Sequence, residues 1–265
     1  MPDAGRWMRP VAEPTDGPVD GRGGVARALL AIARDVSDDR TLAGLICEAS
    51  VDGLDVDGAA LSLYTASVAS HTLHATDATA QLLEELQFTL NEGASIEAAT
   101  TGAAVFVNDL GDAGHAARWP VFAAAAREQT EVRAMFALPL RWGTVNLGVL
   151  DLYRRVPVGL SDEQRRDALA AAYTAALMML TLRTDPTDRT DAGIRNGHSG
   201  SWLDPVVAGR AEVHQATGMV MAQLDLLPAD ALARMRGHAF ATQRLLIEVA
   251  GDVVARRLDF TDEKM

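Results

Sequence analysis

An α+β fold followed by an all-helical tail is the architecture that this sequence predicts, and three observations predict it. Apolar residues switch between helical and strand spacing along a central stretch of about 160 residues. Two apolar runs, 132–140 and 145–153, flank the polar connection Arg141-Trp142-Gly143-Thr144, as the arms of a β-hairpin would. The last ~60 residues carry helical spacing only.

In chain order, Val25, Leu29, Ile32 and Val36 make one helical stripe, and 42–51 reads as a second helix. Residues 58–65 and 71–75 read as strands. Residues 78–90 read as a helix with Leu82, Leu83, Leu86 and Leu90 on one side. A short strand at 104–108 and a short helix at 120–128 precede the hairpin. Ser161-Asp162-Glu163-Gln164 matches the capping box, which satisfies the first free N–H groups of a helix. From it a long helix runs to about Arg183, with Leu169, Tyr173, Ala176, Leu177 and Leu180 in one stripe that serves either the core or pairing with a second chain.

Residues 1–24 and 184–201 concentrate Asp, Gly, Pro and Ser. They are expected to be a disordered N-terminal segment and a flexible linker, dividing the chain into a body at 25–183 and a tail at 202–265. In the tail, Asp204-Pro205 supplies an N-cap and a proline at the first helical position. Val206, Val213, Val220 and Leu224 mark the first helix. Leu232, Met235, Ala239 and Phe240 mark the second, with Phe240 read as core; Leu246, Val249, Ala250, Val253, Val254 and Leu258 mark the third. Three short amphipathic helices must share a core, because each alone is marginal in water. The small residues Ala216 and Gly218 are read as a close helix–helix approach.

Composition narrows the function. The formal net charge of -12 argues against coating nucleic acid by bulk charge, although not against one local basic face. The single cysteine, Cys47, excludes a disulfide framework and reads as core. The N-terminus has no apolar signal segment. The longest uncharged apolar stretch, 168–182, is shorter than the roughly 18–20 residues that span a bilayer, so a cytoplasmic protein without membrane attachment is expected. No His, Asp or Glu set has metal-ligand spacing and no Gly-rich loop follows a strand, so no metal, cofactor or catalytic group is expected.

Arg210-x-x-Val213-x-x-Ala216-Thr217-Gly218-Met219-Val220-Met221 resembles the first-helix signature of the ANTAR domain, an RNA-binding output module of bacterial antitermination regulators. Ala231-x-x-x-Met235-Arg236-x-x-Ala239-Phe240 resembles its second helix, and Glu248-Val249-Ala250 sits where its third begins. The body is similar to the GAF sensor domain. Leu83-Glu84-Glu85-Leu86-Gln87-Phe88, Asn91-Glu92-Gly93, Asn108-Asp109-Leu110, Arg118-Trp119-Pro120, 136–140 and 147–154 carry that likeness. Three departures stand out: Thr217 where the ANTAR family commonly has Lys, Gln243-Arg244-Leu245 where a Gly-Arg-Pro turn is usual, and Asn91-Glu92-Gly93-Ala94-Ser95 in place of Gly-Glu-Gly-Pro. The second leaves the turn weakly marked and the last two helices nearly continuous.

The resemblance implies a GAF-like antiparallel sheet flanked by helices, followed by an ANTAR-like three-helix bundle. It also implies a signal-responsive antiterminator, a homodimer that pairs two tails on RNA hairpins of nascent transcripts. The alternative is a ligand-sensing or protein-interaction module whose tail no longer binds RNA. An enzyme is disfavoured, because the sensor domains of this fold that reduce free methionine sulfoxide need several cysteines. Residues 202–265 hold seven basic against nine acidic side chains, so RNA binding depends on placement. The expected RNA-binding residues are Arg236, His238, Arg244, Arg210, Thr217 and Arg256. For a small molecule held in the sensor they are Asp109, Trp119 and His74.

Overall fold

A computed structural model describes residues 24–32, 36, 38–64, 70–184 and 211–261. Most of the expected N-terminal segment and linker, the Asp204-Pro205 cap and Arg210 lie outside the described residues.

The body is built from α1 (Gly24–Ile32), α2 (Asp39–Leu54), β1 (Gly58–Tyr64), β2 (Ser70–Ala75), α3 (Ala78–Leu90), α4 (Ala94–Thr101), β3 (Val105–Val107), α5 (Ala113–Arg118), α6 (Pro120–Gln129), β4 (Ala134–Trp142), β5 (Val145–Arg154) and α7 (Asp162–Thr184). The tail has α8 (Ala211–Leu224), α9 (Pro228–Ala241) and α10 (Leu246–Val254). The five strands form one antiparallel sheet in the order β2-β1-β5-β4-β3.

Side chains alternate across a strand, and that period separates two cores. Leu61, Leu63, Phe136, Leu138, Leu150 and Leu152 face α1, α2 and α7. Ala60, Met135, Ala137, Val149 and Tyr153 face the layer of α3, α4 and α6, with Leu83, Leu86 and Phe122 between. Cys47 lies in the first core, fully buried, and burial pushes its thiol up, so it is unreactive.

Local signals set the helix ends. Asp38 accepts the amides of Arg40 and Thr41 at the start of α2, and Asp77 Oδ1 accepts that of Ala80 at the start of α3. The capping box before α7 is formed: Ser161 Oγ accepts the Gln164 amide at 3.2 Å, and Gln164 Oε1 accepts the Ser161 amide at 3.0 Å. Arg154, 7% exposed, donates to the carbonyls of Leu54, Asp55, Val158 and Gly159, tying the end of α2 to the sheet and to the loop before α7.

Several expectations need correction. The hairpin strands run on through Trp142, which pairs with Val145, so the connection is the two residues Gly143-Thr144 and not four. Gly143, at φ +61°, supplies the backbone that a glycine-first two-residue turn requires. The buried face of α7 is Ala168, Ala171, Ala172, Ala175, Ala176, Met178 and Met179, while Leu169 and Tyr173 are 46% and 57% exposed. Small alanines let α7 approach β4 closely and turn the bulkier stripe outward. Two short helices, α4 and α5, had not been expected.

Candidate nucleic-acid interface

The tail helices close on their own core. Val213, Ala216 and Val220 from α8 meet Ala231, Met235 and Ala239 from α9 and Leu246, Val249, Ala250 and Val253 from α10, with Phe260 buried beside them. The last two helices are not continuous. Gln243 adopts φ +54° between them, and Glu248 reaches back to accept the Leu245 amide at 2.9 Å. That carboxylate does the work of the missing proline turn.

Of the expected RNA-binding residues, Arg236 lies against the body: its guanidinium carbon is 5.3 Å from the Phe88 ring centroid, and its Nε and Nη2 are shut off from solvent. His238 stands edge-on to Phe260, with ring centroids 5.4 Å apart. Arg244 is held by acids, with Nη2 2.8 Å from Asp252 Oδ2 and Nε 3.9 Å from Glu248 Oε2. Asp252 also takes Arg257 at 2.7 Å, and hydrogen bonds from Arg257 first and then Arg244 hold its carboxyl below the usual range. Arg256 is exposed, at φ +56° just beyond α10. Thr217 turns inward, donating to the Val213 carbonyl at 2.7 Å with Met235 Sδ at 3.9 Å.

Two readings of the tail are overturned. Phe240 is 58% exposed, because the buried stripe of α9 is Ala231, Met235 and Ala239 and Phe240 lies off it, one turn beyond Arg236 on the same side of the helix. Gly218 is exposed, and a Cβ there would meet nothing within 4 Å, so it serves no close helix approach.

Body and tail meet along α3. Phe88, 3% exposed, is buried in the tail's core cluster, and Leu245 packs against the second core of the body. The Leu246 amide, at the start of α10, donates to Thr89 Oγ1 at 3.0 Å across 157 residues. The Arg236–Phe88 contact adds about 0.5–2 kcal/mol, the upper end applying where water is excluded. Nothing in the sequence pattern of either domain alone pointed to Thr89 as a cap for α10.

In the body, the three expected ligand residues are not brought together. Asp109 accepts the Gly111 amide at 2.8 Å and lines an open surface depression of about 660 Å³ with Arg127, Glu128 and Arg133. Trp119, 6% exposed, packs in the second core under the Arg118 guanidinium. His74 lies against Gly44 of α2, on the other face of the sheet. A polar cluster gathers instead beneath α3. Ser62 donates to Glu84, Tyr64 and Ser95 share a hydrogen bond of 3.0 Å, and the Ser95 amide donates to Gln87 at 2.8 Å. Asp151, 7% exposed, sits beside Glu84 at a cavity of about 10 Å³, room for about one water. Burial first, and then the Glu84 charge, push the Asp151 carboxyl well above the usual range. Its members come from β1, α3, α4 and β5, too far apart in sequence for any spacing to reveal.

The family model described as "GAF domain" matches residues 36–179, more than half of the chain. The chain belongs to the GAF domain family. The model described as "ANTAR domain" matches residues 206–254, so the GAF domain is followed by an ANTAR domain, and both are regulatory families. No curated protein matches the chain. Among solved structures, a domain of a two-component sensor histidine kinase protein from Sinorhizobium meliloti 1021 is similar at 14% identity, covering 58% of this chain and 99% of that one, with a TM-score of 0.48. The GAF domain of a phosphoenolpyruvate-protein phosphotransferase from Coxiella burnetii is 11% identical, covering 60% and 93%, with a TM-score of 0.48. The free methionine-R-sulfoxide reductase from Neisseria meningitidis is 14% identical, covering 60% and 88%, with a TM-score of 0.42. Among the described residues no helix is long and apolar enough to cross a membrane, and no group of three or more His, Cys, Asp or Glu is placed to hold a metal ion.

Proposed function

We propose that this chain is a signal-responsive RNA-binding regulator acting in the cytoplasm by transcription antitermination, its GAF domain controlling its ANTAR domain. The observation that carries the reading is the exposed Phe240, one turn beyond Arg236 on the same side of α9, within a bundle that the ANTAR model matches. Unstacked RNA bases lie on aromatic rings and guanidinium planes, while arginines neutralise phosphates. Arg256, exposed just beyond α10, is a further cation of the tail. The buried polar cluster of Ser62, Glu84, Ser95 and Asp151 has room for about one water, so a small molecule would enter the sensor there only by displacing α3.

Dimerisation belongs to the same reading. Leu169 and Tyr173 are exposed on α7, and Trp142 lies 6.2 Å from Tyr173, 42% exposed. A second copy seated there would carry two tails to one pair of hairpins, and bivalency would strengthen a weak single site. Tyr173→Arg is expected to shift sedimentation toward monomer.

The direct test is filter binding of a labelled random-loop RNA hairpin pool. Three or four phosphate contacts give a slope of log affinity against log salt of roughly −2 to −4. Phe240→Ala is expected to weaken binding by about tenfold, a stacking loss of 1–3 kcal/mol. Affinity that ignores both salt and Phe240 overturns the reading. The pairing of Arg244 and Arg257 with Asp252 favours the alternative, an interaction module without RNA affinity, and absence of binding at low salt would establish it.

A further inference from the structure

We propose that helix α3 of the GAF domain is a removable cover on the RNA-facing side of the ANTAR bundle, so that the docked chain is its own inhibitor. The inference rests on the RNA-binding reading above and adds the regulation of that site.

Three contacts of different chemistry meet on one end of α3. The Phe88 ring is buried in the ANTAR core cluster. The same ring faces the Arg236 guanidinium at 5.3 Å, and two of the guanidinium nitrogens have no exposure to water. Thr89 Oγ1 accepts the Leu246 amide at 3.0 Å and so caps α10 from another domain. While these hold, Arg236 cannot lie on a base or meet a phosphate, and Phe240 one turn away stands without its cation. RNA and α3 therefore compete for one face of α9.

The cover is also tied to the sensor interior. Glu84 and Gln87, on the same thirteen-residue helix, enter the polar cluster with Ser62, Ser95 and Asp151. Glu84 lies one turn before Phe88 and Gln87 is its neighbour, so an occupant of that cluster that displaces this end of α3 changes how tightly the ANTAR face is covered.

Phe88→Asp in the full chain tests this. It places a charge in the contact while leaving the sheet cores of the sensor intact. The expected result is tighter binding of the random-loop hairpin pool than by the unaltered chain, by about tenfold, within the range usual for coupled sites. Adding Arg236→Ala to that variant is expected to abolish the gain. Thr89→Val, nearly isosteric, removes only the cap. It is expected to raise RNA affinity several-fold and to speed hydrogen exchange at the Leu246 amide, which keeps the test sound if Phe88→Asp fails to fold. Saturating RNA is expected to speed exchange over residues 82–90 of the unaltered chain. Equal, salt-dependent RNA binding by all three chains, with no change in exchange on adding RNA, overturns the cover and leaves RNA binding standing. No binding by any of them at low salt overturns the RNA reading and the cover with it.

Discussion

Tyr153 and Asp77 fasten the start of α3 to the sheet: the phenol donates to Asp77 Oδ2 at 2.7 Å, and the other carboxylate oxygen accepts the Ala80 amide at the same distance. The helix that carries Phe88 and Thr89 at its far end is thereby anchored at its near end to β5. Burial first, then the Asp77 hydrogen bond, pushes the Tyr153 phenol up to about 12. Tyr153→Phe is expected to lower stability by about 1–2 kcal/mol at neutral pH, the usual cost of unpairing a charged acceptor, as read by urea unfolding. Because the fold favours the neutral phenol, its contribution is intact below an unfolded-state value near 10 and is lost as pH rises to about 12. The Phe variant should lack that alkaline decline.

Asp151 works in the opposite sense. The fold keeps it protonated where the unfolded chain ionises it, so stability falls as pH rises from about 4 toward neutrality. Asp151→Asn mimics the protonated acid in shape. It is expected to be more stable than the natural chain at neutral pH, with the advantage vanishing near pH 4; each tenfold change in acidity is worth about 1.4 kcal/mol. Paired urea unfolding curves at the two pH values check it. A variant destabilised equally at both would mean that the carboxylate is needed in its charged form.

Asp252 restrains two arginines on the surface of the ANTAR bundle. Asp252→Ala frees Arg257 for phosphate and leaves Arg244 only its contacts with Glu248. RNA affinity should rise at low salt, and the slope of log affinity against log salt should steepen by up to about 1.8 if both arginines reach phosphate, since each contact contributes roughly 0.7–0.9. An unchanged slope would place RNA away from this end of α10.

Two glycines should respond in opposite directions. Gly218→Ala in α8 meets open space and is expected to stabilise the chain by about 0.5–1 kcal/mol, the helix-propensity difference. Gly148→Ala would bring a Cβ to 2.2 Å from the Ser62 carbonyl oxygen, where β1 and β5 pair, and is expected to cost about 2 kcal/mol or more. Thermal melts of the two variants read both signs.

The periodic elements were legible because burial imposes their period. The strand at 58–64, the α3 stripe and the Ser161–Gln164 box needed only local pattern. Helix α5 escaped because none of its six residues is buried, so no apolar period marks it. Of the two uses open to the α7 stripe, the core takes Ala176 alone as a buried member, since the packed face is alanine and methionine while Leu169 and Tyr173 stand outward. Phe240 differs from its expected place for a related reason, since the packed stripe of α9 is Ala231, Met235 and Ala239, two small residues and one flexible one. The site was less legible than the fold. Arg236 was marked by its place in a motif, but its partner Phe88 lies in another domain, and the residues around Asp151 come from four separate elements.

Arg154 sets how the body answers acid. Its guanidinium is bonded to four main-chain oxygens rather than to any carboxylate, and arginine keeps its charge at every pH where a protein folds. Falling pH therefore leaves these four bonds as they are. The staple between α2, β5 and the approach to α7 outlasts ties that depend on a charged carboxylate.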